Sequence, residues 1–235
     1  APANAYQDFS RYILCDEVDG VKIITIRRPQ AMNALNDEIT GEILKALTAD
    51  ADNPAVKGFV ITGYGTQAFS AGADIGKFPE MLGDSAASAQ YARDCAEVQR
   101  YMDRLQKPVV AALNGLAMGG GLEVAIRCHS IVSVEKAVLQ FPEITLGILP
   151  GIGGCVVPYR RWPQGANHFH EMITLGKPID ARLAAEIGMI KAVVSNPSQL
   201  IDIAVAEVNR LQGNIPQIID QSMDIPAITI PDPPV

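Results

Sequence analysis

The sequence has few of the residues from which metal sites and disulfide frameworks are built. Its 235 residues include three histidines, four cysteines and one tryptophan. The cysteines form no CxxC pair, and HFHE (168–171) has neither the His-x₃-His spacing nor a distant ligand set of a zinc site. We therefore expect no metal site. We also expect that the cysteines are reduced, that they pack as small apolar side chains, and that the protein is cytoplasmic.

Basic charge and long apolar runs are also scarce. The formal net charge is −7, which argues against a broad nucleic-acid-binding face. The sequence shows no signal-peptide pattern and no uninterrupted apolar run long enough to cross a bilayer, so we expect no membrane association. With 48% hydrophobic and 19% charged residues, the composition is that of a globular domain.

Apolar strand-like runs alternate with amphipathic helical segments, which predicts an α/β fold with covered sheets. Strands are predicted at 21–26, 57–62, 108–113, 129–134, 136–141 and 189–194. Helices are predicted at 38–51, 86–105, after the glycines of 119–121, and at 165–175, 180–187 and 197–213. We expect a core over residues 1–195 and a C-terminal helix with a proline-rich tail over 196–235. The alanine at position 1 and the prolines of IPAITIPDPPV (225–235) suggest one module of a longer protein.

Two common catalytic motifs are not supported. GYGTQA (63–68) fits the GxGxxA dinucleotide fingerprint, but a loop follows it instead of the required helix, and no acidic residue ends a second strand at the right distance. No serine lies in a GxSxG elbow, so a serine–histidine hydrolase is not expected.

Two glycine-rich segments, SAGADI (70–75) and GGGLE (119–123), could bring backbone N–H groups close to a ligand. If the segments face each other, two N–H donors and a helix N-terminus could stabilise one oxyanion. Taken alone, either segment is better explained as a tight turn with no ligand.

Glu123 and Glu143 each lie among apolar residues and beside glycines. An apolar setting raises the pKa of a carboxyl group, which suits general acid–base catalysis. The alternative is that each glutamate caps a helix or pairs with an arginine.

Four segments in order resemble the crotonase family, the enoyl-CoA hydratase/isomerase superfamily. They are RRPQAMNALN (27–36), FSAGADI (69–75), KPVVAALNGLAMGGGLEVAIRC (107–128) and FPEITLGILPGIGG (141–154). MITLGKPIDARLAAEIGMIKAVV (172–194) is similar to the stretch after the family's active site, and the resemblance covers roughly residues 15 to 212.

The resemblance implies a spiral of repeated ββα units, an acyl-CoA thioester substrate, and an oxyanion hole formed by the N–H groups of Ala73 and Gly120. Because both family glutamates are matched, it implies hydration of a trans-2-enoyl-CoA, with Glu143 donating a proton to Cα and Glu123 activating water. No metal or redox cofactor is implied, since coenzyme A is part of the substrate. The residues that the resemblance assigns to CoA binding are Arg28, Ala31, Ala71, Asp74, Ile75 and Lys77.

The chain departs from the family pattern at Gln30, at Cys128-His129 and in CVVPYRRW (155–162). Because of these departures, the resemblance does not predict which acyl group the substrate carries. The resemblance also implies a homo-oligomer, a trimer or hexamer, and allows fusion to a 3-hydroxyacyl-CoA dehydrogenase module. Alternatives are an enoyl-CoA isomerase, another crotonase-type lyase or hydrolase, and a non-catalytic acyl-CoA-binding module of a multifunctional protein.

Overall fold

The computed structural model describes residues 12–74, 76 and 84–218, and two β-sheets form the centre of the fold. The strands are β1 (Ile13–Val18), β2 (Val21–Ile26), β3 (Gly58–Gly63), β4 (Ala68–Ser70), β5 (Val109–Leu113), β6 (Leu116–Met118), β7 (Ser130–Val134), β8 (Val138–Gln140), β9 (Ile179–Asp180) and β10 (Ala192–Val194). The α-helices are α1 (Asp37–Ala49), α2 (Ser85–Cys95), α3 (Glu97–Met102), α4 (Gly119–Arg127), α5 (Val157–Arg161), α6 (Ala166–Leu175), α7 (Ala181–Glu186) and α8 (Leu200–Arg210).

The larger sheet has the strand order β1-β2-β3-β5-β7-β10. β1 pairs with β2 in an antiparallel hairpin, and every other pairing in this sheet is parallel. Every residue of β3, β5 and β7 is buried. Strands of a parallel sheet that is covered on both faces are apolar along their whole length, which is why the sequence predicts these three strands.

The smaller sheet has the order β4-β6-β8-β9, and its first three strands are parallel. Along the chain, β3, β5 and β7 enter the larger sheet and are followed by β4, β6 and β8 in the smaller one. Helical segments follow each pair of strands. The α/β fold class and the spiral of repeated ββα units are therefore confirmed.

The sequence prediction missed strands that are short or half exposed. β1 carries exposed residues at Cys15, Asp16 and Glu17, so it lacks a continuous apolar run. The segment interpreted as one loop from residue 63 contains β4, and β6 lies just before the triple glycine. The single helix expected over 86–105 is two helices, with Ala96 between them.

Two buried asparagines fix the chain that leads from β4 toward the site. The side-chain amides of Asn33 and Asn114 both donate to the carbonyl of Ala68, at 2.8 and 3.0 Å. Asn114 also accepts from the N–H of Gly63, and Asn33 accepts from the N–H of Arg28. The segment after Ala68 is thereby held against both β3 and the turn that precedes α1.

Helix α8 packs on β3, β5 and β7 of the larger sheet. The approach is close: a Cβ atom added at Gly58 would lie 2.7 Å from Cγ1 of Val208. The division at residue 195 stays a prediction, and residues 219–235 of the expected tail lie outside the described residues. In the part of the chain that the structure describes, no helix combines the length and the apolar character that a membrane span requires.

Candidate active site

Each glycine at the start of α4 meets a different neighbour. Gly119 has φ +45°, and a Cβ atom there would lie 2.9 Å from Oε1 of Glu143. At Gly121 a Cβ atom would lie 2.6 Å from the side chain of Ser70. Because Gly119 and Gly121 lack side chains, the start of α4 can pack against Glu143 and against β4.

The two glycine-rich segments lie side by side. A Cβ atom built on Gly120 would be 3.4 Å from the backbone nitrogen of Ala73, and one built on Gly72 would be 3.6 Å from the nitrogen of Gly120. Gly72 adopts φ +101°, a conformation that favours glycine. Gly120 is in the first turn of α4, where N–H groups have no acceptor within the helix. The arrangement brings two backbone nitrogens to one place.

Glu123 lies on α4 and is only 2% exposed. Its Oε1 atom accepts hydrogen bonds from the N–H groups of Ile152, at 2.8 Å, and Gly154, at 2.9 Å. Burial raises the pKa of Glu123, while these backbone hydrogen bonds and the charge of Arg127 act in the opposite direction. The loop at 151–154 therefore fixes the orientation of the carboxylate and favours its ionised form.

Arg127 braces that loop from one turn further along α4. Its guanidinium forms a salt bridge with Asp103, at 2.5 Å, and lies against Gly153, where a Cβ atom would be 3.2 Å from Nε of Arg127. The Glu123 carboxylate is thus stabilised in two ways, by hydrogen bonds from the loop amides and by the nearby positive charge of Arg127.

Glu143 begins a 3₁₀ turn, Glu143–Leu146, immediately after β8 and Phe141-Pro142. Its Oε2 atom is buried and has no hydrogen-bond partner among the residues that the structure describes. Burial, together with the charge of Glu123, raises the pKa of Glu143 to about 7. The site thus holds one carboxylate supported by hydrogen bonds and one carboxyl group that is protonated much of the time near neutral pH.

Comparison with known proteins places this geometry in a family. The model of the enoyl-CoA hydratase/isomerase family matches residues 16–229. The chain belongs to that family. It is 37% identical over 209 residues to a crotonyl-CoA hydratase of Syntrophomonas wolfei, covering 86% of this chain and 75% of that protein. It is 32% identical to a short-chain-enoyl-CoA hydratase of Clostridium acetobutylicum, covering 89% of this chain and 78% of that protein.

Solved structures of the family agree with the fold. An enoyl-CoA hydratase of Bacillus anthracis superposes with a TM-score of 0.76 at 29% identity, covering 87% of this chain and 78% of that one. The resemblance to the crotonase family is therefore confirmed.

Of the CoA-binding residues expected from the family resemblance, Arg28 and Asp74 meet each other. The Arg28 guanidinium pairs with the Asp74 carboxylate at 2.7 Å, so a CoA phosphate would compete with that carboxylate. Ala31 ends a 3₁₀ turn beside this pair, and the N–H of Ala71 donates to the carbonyl of Met32. Ile75 and Lys77 lie outside the described residues. The CoA-binding role of all six residues stays a prediction.

The histidines do not form a second site. Nδ1 of His129 accepts from the N–H of Val109, and burial, with the charge of Arg161, lowers the His129 pKa to about 4, so the ring is neutral. Arg161 donates to the carbonyls of Ile126, Cys128 and His129 and so binds the end of α4. Over residues 12–74, 76 and 84–218, no cluster of three or more His, Cys, Asp or Glu side chains could hold a metal ion.

Sequence reasoning missed the groups that support Glu123. The amides of Ile152 and Gly154 come from a loop 29 to 31 residues beyond Glu123, and no local pattern predicts that contact. It also missed Gln99, which is buried beside Ala73 and Gly120. A signal for Gln99 was present, because Cys95, Gln99 and Met102 recur at helical spacing and so share one face.

Proposed function

We propose that this chain is an enoyl-CoA hydratase that adds water syn across the double bond of a trans-2-enoyl-CoA and yields a 3-hydroxyacyl-CoA. The observation that carries the proposal is the pair Glu123 and Glu143 beside the backbone nitrogens of Ala73 and Gly120. Simple double-bond isomerisation moves one proton and needs one carboxyl group, whereas hydration needs one group for water and one for the carbon. The similarity to proteins named as hydratases supports the same reaction.

The thioester oxygen is expected to lie between Ala73 and Gly120. As the enolate forms, this oxygen gains negative charge, and the two N–H groups with the positive end of α4 stabilise it. Because these donors are backbone groups in fixed loops, they need no reorganisation during the reaction.

The two carboxyl groups divide the proton transfers. Glu123, ionised, takes a proton from water as the water oxygen bonds to C3 of the enoyl group. Glu143, protonated, gives its proton to C2, and the electrons of the double bond form the new C2–H bond by way of the enolate. Exchange with solvent then returns Glu123 to its ionised form and Glu143 to its protonated form. The reaction needs no metal or redox cofactor.

The rate of hydration is expected to depend on pH through Glu143. Only its protonated form donates, and its pKa is raised to about 7, so kcat/KM should fall as the pH rises through about 7. An acidic limb above pH 4.5 should reflect Glu123, whose pKa is raised from 4.5. Initial rates at low substrate concentration between pH 5 and 9 test this.

The Glu123→Gln variant is the control for this profile. It should lose the acidic limb, and its alkaline limb should move to lower pH because the charge of Glu123 no longer raises the Glu143 pKa. A wild-type profile that is flat from pH 6 to 9 would contradict the assignment of Glu143.

The reaction itself is tested by product analysis. The purified chain is incubated in ¹⁸O-labelled water with crotonyl-CoA, with a 3-enoyl-CoA and with a cyclic oxo-acyl-CoA. We expect the label at C3 of 3-hydroxybutyryl-CoA. Conversion of the 3-enoyl-CoA without hydration of crotonyl-CoA would favour an isomerase, and ring opening a hydrolase. CoA binding with no turnover would favour a non-catalytic module.

Several expectations rest on the family resemblance alone. Homo-oligomeric assembly, fusion to a dehydrogenase module and a cytoplasmic location stay predictions. Sedimentation of the purified chain would measure its assembly state directly.

A further inference from the structure

A pocket lies beside the expected position of the thioester. Ala73 and Gly120 form part of its wall, and Leu35, Val124 and Ile152 form an apolar part. Its cavity volume is about 20 Å³, room for about one water molecule, so side chains of the wall have to move to admit an acyl group. Because it borders both the oxyanion donors and the loop that holds Glu123, this pocket is the place for the acyl group in the proposed reaction.

Gln99 on α3 is an unexpected member of this wall. Its side chain is only 1% exposed, yet among the described residues neither Nε2 nor Oε1 has a hydrogen-bond partner. A buried primary amide carries two donor hydrogens and a carbonyl acceptor, and leaving them unpaired destabilises the fold. Such an unpaired group in a native structure calls for a ligand or water to satisfy it.

Other polar groups of the wall are already engaged. Oδ1 of Asn36 accepts from the N–H of Ile39, and Oγ1 of Thr40 donates to backbone carbonyls at the start of α1. Their hydrogen bonds serve the N-terminus of that helix. The side-chain amide of Gln99 forms no hydrogen bond with a helix end or with any other described residue, so its donors and acceptor remain available to a bound molecule.

We propose that Gln99 determines acyl specificity by binding a neutral polar group, a hydroxyl or a carboxamide, on the acyl chain of the substrate. The proposal rests on the proposed hydratase function and names its substrate class: enoyl-CoA thioesters that carry an oxygen function beyond the double bond. A terminal carboxylate fits less well, because the ionised Glu123 already places negative charge near this pocket. An unsubstituted alkyl chain would leave the Gln99 amide unpaired in the complex.

The test compares substrates in which a hydroxyl replaces a methyl group. trans-2-Hexenoyl-CoA is paired with 5-hydroxy-trans-2-pentenoyl-CoA, and the pairs one carbon shorter and one carbon longer are measured as well. For at least one chain length, we expect the hydroxylated member to have a kcat/KM at least about 10-fold higher, the factor for one well-made hydrogen bond. This comparison needs the wild-type chain only.

The Gln99→Met variant then assigns the preference to the amide. Methionine is close to glutamine in size and lacks its donors and acceptor. The ratio of kcat/KM values, hydroxylated over unsubstituted substrate, should fall by about 10-fold or more, through a loss on the hydroxylated substrate that exceeds any change on hexenoyl-CoA. The thermal midpoint of this variant should equal or exceed that of the wild type, because an unpaired buried amide is gone. Gln106→Met, at an exposed position after α3, is the matched control and should change neither rate.

Two results would overturn the proposal. One is equal kcat/KM, within threefold, for both members of every pair, in which case water satisfies Gln99. The other is an equal change on both members in Gln99→Met, which would give Gln99 a structural role only. Failure to hydrate any enoyl-CoA, crotonyl-CoA included, would count against the hydratase function itself and is distinct from hydration without preference.

Discussion

Glu123→Gln and Glu143→Gln should each lower kcat for crotonyl-CoA hydration by about 10² to 10⁴-fold. Each substitution keeps the shape of the side chain and removes one proton-transfer group. The effects should not multiply in the double variant, because the two groups act on one substrate in one reaction. Steady-state rates for the two single variants and the double variant measure both effects.

The matched control is Glu186→Gln on the exposed side of α7, which should leave kcat unchanged. KM should change little in the two site variants, since neither glutamate is expected to contact the CoA moiety. Full activity in either site variant would remove that glutamate from the mechanism, and a raised KM at unchanged kcat would make it a binding residue.

Glu143→Gln should also stabilise the fold at alkaline pH. The folded-state pKa of Glu143 is about 7, above its ordinary 4.5, so the side chain favours folding fully below pH 4.5, and that contribution is lost as the pH rises through 7. At pH 8 the variant should gain about 1–2 kcal/mol in the free energy of unfolding, after allowance for its partial exposure. Urea unfolding at pH 5 and pH 8 tests this, and an equal effect at both would contradict it.

Gly119→Ala should lower kcat by about 10²-fold while the chain still folds. The added Cβ atom would lie 2.9 Å from Oε1 of Glu143. Since this oxygen is the far end of a flexible side chain, Glu143 can swing away at small cost to the fold. The proton donor is then displaced, and a shift of about 1 Å is enough for such a loss of rate. Steady-state kinetics with crotonyl-CoA measure it.

Gly213→Ala separates this effect from backbone strain. Gly213 has φ +70° and open space around its Cβ position. Both variants place alanine in the left-handed region, so both should lose about 1–2 kcal/mol in the free energy of unfolding. Only Gly119→Ala should lose activity. Equal activities in the two variants would mean that the contact between Gly119 and Glu143 has no role in the reaction.

The sequence was most informative where burial is continuous. β2, β3, β5 and β7 are apolar runs on covered strands, and Asn36, a residue type that favours helix N-caps, caps α1. β4 and β6 have only three residues each, so pairing with each other defines them, and local sequence does not. A short segment has too few residues to show a period of two.

Part of the candidate site could also be predicted from the sequence. The sequence indicates Glu123, Glu143 and the two glycine segments because carboxyl groups and runs of glycine are unusual within apolar, buried segments. The amides that hold Glu123, and the salt bridge from Arg127 to Asp103, join segments 24 to 31 residues apart. Such contacts follow from the winding of the ββα units, which the sequence pattern predicts only in outline.

The most direct test of the account is the loss of enoyl-thioester absorbance when the wild-type chain and the Glu123→Gln/Glu143→Gln double variant are mixed with crotonyl-CoA. The account predicts rapid loss of absorbance with the wild type, matched by the appearance of 3-hydroxybutyryl-CoA, and a rate at least about 10²-fold lower with a folded double variant. An unchanged rate in the double variant, or no loss of absorbance with the wild type, would contradict it.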